Sequence, residues 1–91
     1  SLYLTLVPIA PELYWDLSEL YRTGFKDNAR AEAALESWYG KVAQDWSNTV
    51  RYINALLTRF NDRPRARQVL DVWTKKNPKD STQAAALRRT I

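Results

Sequence analysis

The chain has 91 residues, a formal net charge of +4, and no cysteine, histidine or methionine. A chain of this length buries about 60–65% of its unfolded surface, enough for one core. Without cysteine there is no disulfide framework, thiol nucleophile or thiolate metal site, and without histidine the commonest metal ligand and the usual general base are missing. Two glycines are too few for a phosphate-cradling loop. Hydrolase triads, zinc sites and haem pockets therefore drop out, and neither a metal nor a cofactor is expected. No apolar run approaches the roughly 18–20 residues that span a bilayer, so no membrane insertion is expected. No basic stretch leads into an apolar segment after Ser1, so the chain reads as a piece of something longer and not as a secreted precursor.

The charge is unevenly spread. Residues 1–45 hold four Lys/Arg against seven Asp/Glu, whereas residues 46–91 hold ten against three. Asymmetry of this kind bears on partners and not on fold. A basic half suits phosphates or an acidic protein face; the plain alternative is a solvated surface.

In chain order, residues 2–7 (Leu-Tyr-Leu-Thr-Leu-Val) are apolar strand formers. Alone they build no sheet, so residues 1–10 are expected to be an extended lead-in packed on the helices, stopped by Pro8 and Pro11. Residues 11–91 are expected to form a single helical domain. Pro11 suits the first position of a helix. Leu13, Leu17, Leu20 and Tyr21 then recur on one face, with Asp16 and Glu19 expected outside. That helix is expected over about 11–22, ending near Gly24.

Asp27 or Asn28 can cap a second helix over about 28–45. Its stripe is Leu35, Trp38, Tyr39, Val42 and Trp46, with Gly40 inside it as a site for a kink or a close neighbour. Ser47 or Asn48 is expected to cap the third helix, which carries Val50, Ile53, Leu56, Leu57 and Phe60 at helical spacing, with Arg51, Asn54 and Arg59 opposite. Asp62 and Pro64 open the fourth helix, with Ala66, Val69, Leu70 and Trp73 on its inner face, and Asn77-Pro78 ends it. Asp80-Ser81 opens the fifth, with Ala84, Leu87 and Ile91 inward and Arg88 and Arg89 near the end, where cations suit the helix dipole. Each amphipathic helix must bury its stripe against others, so the fold class is all-α: a compact antiparallel bundle of five to six helices.

Chemistry is sparse. Asp16/Glu19 and Glu32/Glu36 are acid pairs at helical spacing, but neither comes with a nucleophile or a metal-ligand pattern. Such pairs are routine on solvated helices, so no enzyme is expected. The basic residues carry more. Arg59, Arg63, Arg65 and Arg67 bracket the turn into the fourth helix, and Lys75 and Lys76 close it. Arginine's planar fork makes bidentate contacts with carboxylate or phosphate. A nucleic-acid reader would need a helix basic over several turns, or exposed aromatics such as Tyr52 for stacking. Trp38, Trp46 and Trp73 lie on apolar stripes and read as core. An acidic face built from Glu32, Glu36 and Asp45 facing a basic one built from Arg59, Arg63, Arg65, Arg67, Lys75 and Lys76 suits protein docking.

From Trp38 onward the spacing is familiar. Trp38-xxx-Val42-Ala43, Val50-xx-Ile53, Ala66-xx-Val69-Leu70-xx-Trp73 and Ala84-xx-Leu87-Arg88-Arg89 together resemble the death-domain pattern. In that family a tryptophan opens helix 2, an isoleucine centres helix 3, helix 4 ends in Leu-Leu-x-x-Trp, and helix 5 ends in Ala-Leu-Arg-x-Ile. The stretch Gln68 to Asn77 is the most specific part, and Val7-Pro8 is similar to the start of death domains in Toll-pathway receptor-associated kinases. The resemblance covers residues 37–91 well and 1–24 loosely. Residues 25–36 look like an insertion, Asp45-Trp46 replaces the family's Leu-Gly, and the sixth helix has no counterpart before Ile91. The resemblance implies a non-enzymatic, cytoplasmic interaction module that binds other death-fold or helical domains, itself included, and assembles signalling complexes in apoptosis or innate immunity. Alternatives from the residues are a small basic nucleic-acid-binding domain, or a prokaryotic or phage interaction domain of similar architecture.

Overall fold

A computed structural model describes residues 10–91, together with every side chain among them except that of Ser81. Of the expected lead-in over residues 1–10, residues 1–9 lie outside the described residues. Among those described there are helices and no strands, and the fold is all-α. The helices are α1 (Pro11–Glu19, prolonged by a wider π-type turn over Leu20–Gly24), α2 (Asn28–Lys41), α3 (Trp46–Arg59), α4 (Arg63–Lys76) and α5 (Ser81–Arg88), with a 3-10 turn at Pro78–Asp80 before α5. The chain divides into two compact units, Ser1–Ala43 and Gln44–Ile91.

The helix starts follow from capping chemistry. α1 opens on Pro11 behind the extended Ala10 (φ −63, ψ 139), without a side-chain cap. Proline pre-sets the helical φ and has no N–H to leave unpaired. The next three long helices open on aspartates whose carboxylates accept a backbone N–H three residues on: Asp27 from Arg30 (3.1 Å), Asp45 from Asn48 (2.8 Å) and Asp62 from Arg65 (3.1 Å). Each such cap contributes about 1 kcal/mol. Asp27 is one of the two expected caps of α2. For α3 the cap is Asp45 and neither Ser47 nor Asn48. Consequently α2 stops at Lys41, short of the expected 45, with β-branched Val42 extended at its end (φ −90, ψ 167). Trp46 belongs to the first turn of α3, not to the α2 stripe.

Two connections reverse the chain by the same device. Lys26 (φ 53) and Asn61 (φ 51) take the left-handed conformation immediately before the capping aspartate. The Asp27 N–H then reaches back to Tyr21 O (2.8 Å), and the Asp62 N–H to Leu56 O (2.9 Å). No glycine occupies either left-handed position.

In the first unit α1 and α2 form an antiparallel pair, because Trp15 meets Trp38 while Ser18 meets Ala31. The two indoles pack edge-to-face with centroids 4.8 Å apart and planes at 66°. The Ser18 hydroxyl donates to Ala31 O at 2.6 Å. Ser18, Ala31, Leu35 and Trp38 are fully buried, and Ala34 nearly so. The expected leucine stripe of α1 points the other way: Leu13 is 56% exposed, Leu17 37% and Leu20 51%. α1 instead packs through Trp15 and Ser18, whose small side chain lets the backbones close up.

In the second unit α4 is shared by two antiparallel neighbours. Trp46 of α3 packs on Trp73 of α4 with ring centroids 5.5 Å apart. On the other side Arg88 of α5 pairs with Asp71, and Arg67 Nη2 donates to Ile91 O (3.3 Å). The buried set is Thr49, Tyr52, Ile53, Ala55, Leu56, Ala66, Leu70, Trp73 and Ala84. Of the expected stripe positions, Val50, Leu57, Phe60, Val69 and Leu87 are half-buried.

Gly40 has an ordinary negative φ, and a Cβ added there meets nothing within 4 Å. It therefore permits neither a close approach nor a special turn. Gly40→Ala is expected to stabilise the chain by about 0.5–1 kcal/mol, because alanine loses less backbone freedom in a helix. Urea unfolding followed by circular dichroism reads this as a rise in midpoint; a fall would mean that the glycine has a role the packing does not reveal.

Candidate interaction surfaces

The second unit is strongly basic. Gln44–Ile91 holds ten Lys/Arg against four aspartates. Three of the four acids are engaged within the fold. Asp45 and Asp62 accept backbone N–H groups at helix starts and Asp71 pairs with Arg88, whereas exposed Asp80 precedes α5 without a side-chain cap. With ten cations against four acids, the outward field of this unit is set by its cations. Arg63, Arg67, Lys75, Lys76, Lys79, Arg88 and Arg89 are exposed, while Arg59 and Arg65 are half-buried.

α4 does not gather its cations on one face. Successive helix residues step by about 100°, and Ala66, Leu70 and Trp73 define the inner side. Arg63 and Arg67, four apart, lie on the flank facing α5, where Arg67 reaches Ile91 O. Arg65 and Lys76 fall on the opposite flank, beside half-buried Val69 and exposed Val72. Lys75 points outward between the flanks. Arg59 closes α3, on a different element. Lys75 and Lys76 occupy the last turn of α4, where cations meet the partial negative charge of the helix end.

The expected acidic face divides between the units. Glu32 (half-buried) and Glu36 (exposed) lie one turn apart on α2. Asp45 belongs to the second unit, with its carboxylate turned to the α3 amide groups. The first unit still holds six Asp/Glu against four Lys/Arg. On α1, Glu19 takes a two-pronged contact from Arg22 (3.2 and 3.1 Å). The carboxylate holds the Arg22 guanidinium above its usual pKa, chiefly through the hydrogen bond. Tyr52, a candidate for stacking on bases, is 1% exposed: it lies in the core and offers no stacking surface.

Periodicity left two surface features unseen. One is the exposed stripe Leu13, Leu17 and Leu20; the other is Val72, 48% exposed on α4 among cations. Both are apolar residues at spacings that read as inward-facing or neutral, and only the packing of α1 and α4 shows them to be outside.

Among the described residues no three His, Cys, Asp or Glu side chains cluster as a metal site, and no helix is long and apolar enough to cross a membrane. No known protein family, curated protein or solved structure matches the chain.

Proposed function

We propose that the chain is a non-enzymatic protein-interaction module of the death-domain kind, an adaptor that helps assemble cytoplasmic signalling complexes of the apoptotic or innate-immune type. The reading draws on the death-domain spacing of residues 37–91 and on the all-α architecture. The observation that carries it is the excess of ten Lys/Arg over four aspartates in Gln44–Ile91, with Arg63, Lys75 and Lys76 exposed to meet an acidic partner. Each exposed ion pair contributes below about 1 kcal/mol, so affinity comes from several contacts repeated in an assembly, and charge sets on-rate and choice of partner.

The test uses purified death-fold domains with acidic surfaces and, separately, a labelled DNA duplex. The expected result is that at least one such domain binds, more weakly as salt rises. The triple change Arg63→Glu, Lys75→Glu, Lys76→Glu should weaken that binding at least tenfold with unchanged helical content. If no death-fold domain binds while the duplex binds at micromolar concentration with a steep salt slope, the basic surface is a nucleic-acid site and the reading fails.

A further inference from the structure

The outward side of α1 runs against the usual rule for a small helical unit. Leu13, Leu17 and Leu20 stand at i, i+4 and i+7, each more than a third exposed, while the side turned to α2 carries the buried serine. The stripe is bordered on one edge by exposed Glu12 and Asp16. An apolar row of three leucines on a surface helix has the form of a helix-docking site. Its acidic edge selects the occupant.

Pairing with the same stripe of another copy, antiparallel about Leu17, sets the Asp16 edges against each other, which opposes that arrangement. A cationic helix with its own apolar row fits better, and α4 has that form. Its flank away from α5 reads Arg65, Val69, Val72 and Lys76 at i, i+4, i+7 and i+11; Val72 and Lys76 are exposed, Arg65 and Val69 half-buried, and exposed Lys75 lies alongside. The two valines stand at the i, i+3 spacing of Leu17 and Leu20, and cations accompany them as acids accompany the leucines. The net charges of the two units carry the same complementarity, acidic for Ser1–Ala43 and basic for Gln44–Ile91.

We infer that the leucine stripe of α1 docks on the Val69/Val72 flank of α4 in a second copy of this chain. The inference rests on the interaction-module reading and names one partner and one contact for it. The surfaces differ, so the contact is heterologous. A single helix pair lies at the small end of specific interfaces, so assembly is expected at about 10–500 µM protein.

Sedimentation velocity on three proteins tests this. The unchanged chain should sediment faster as its concentration rises. Leu17→Glu, which spoils the stripe, and Val72→Glu with Lys76→Glu, which spoils the flank, should each stay monomeric. Both sites are exposed, and circular dichroism checks that folding is intact. Mixed in equal amounts, the two variants should form a one-to-one dimer and nothing larger, since each supplies the surface the other lacks. The inference is overturned if the unchanged chain is monomeric throughout, if either variant alone still associates, or if the mixture forms no dimer. A monomeric chain that still binds an acidic death-fold domain sinks this contact and leaves the interaction-module reading standing; loss of both ends both.

Discussion

Trp38→Ala should lower the unfolding free energy by about 3–5 kcal/mol, the range for deleting a large buried aromatic side chain. Trp38 has no exposed surface and lies edge-to-face against Trp15 at 4.8 Å. Its loss removes burial, leaves a cavity and ends an aromatic pair worth about 1 kcal/mol beyond its area. A domain of this size has only about 5–10 kcal/mol in hand, so the variant should be partly unfolded near body temperature. Urea titration followed by circular dichroism reads this without relying on tryptophan emission. A loss below 1 kcal/mol would show that the α1–α2 pair is not held together through this ring.

Ser18→Leu should cost about 2–3 kcal/mol, although it replaces a polar residue by an apolar one in a helix. Ser18 is fully buried against Ala31, and its hydroxyl lies 2.6 Å from Ala31 O. A leucine there must push the two backbones apart and lift Trp15 from Trp38. Ser18→Ala keeps the close approach and loses only one hydrogen bond, a loss of about 1 kcal/mol. Thermal unfolding should therefore rank the native chain above Ser18→Ala, and Ser18→Ala above Ser18→Leu. If Ser18→Leu proves neutral or stabilising, α1 can roll to bury its leucines, and the docking stripe proposed above would disappear with it.

The outcome at each helix shows where sequence reading works. α3 and α4 carry apolar residues at unbroken helical spacing, and Ile53, Leu56, Ala66, Leu70 and Trp73 are buried as the spacing requires. Asp62 was legible as a cap because proline follows it closely and a turn precedes it. Asp45 was not, because Trp46 continues the α2 apolar row in phase and hides the break. Periodicity counts spacings and does not register where a β-branched residue such as Val42 turns extended. The charged residues were legible as a set but not as a surface. Their facing depends on which side of α4 is buried, and that same geometry spends Asp45 on an amide group and spreads the arginines over two flanks.

Helical content, the chain reversals and the basic excess of the second half are local properties, written in residue types a few positions apart. Which side of α1 goes inward is not local, since both sides are apolar enough to pack. Leu13, Leu17 and Leu20 compete there with Trp15 and Ser18, and the choice falls to α2, where Ala31 and Ala34 leave room for a close backbone approach and Trp38 waits for a ring. Close packing rewards matched shapes over total apolar content. That match exists only once two helices meet, so the exposure of the α1 leucines follows from tertiary structure alone.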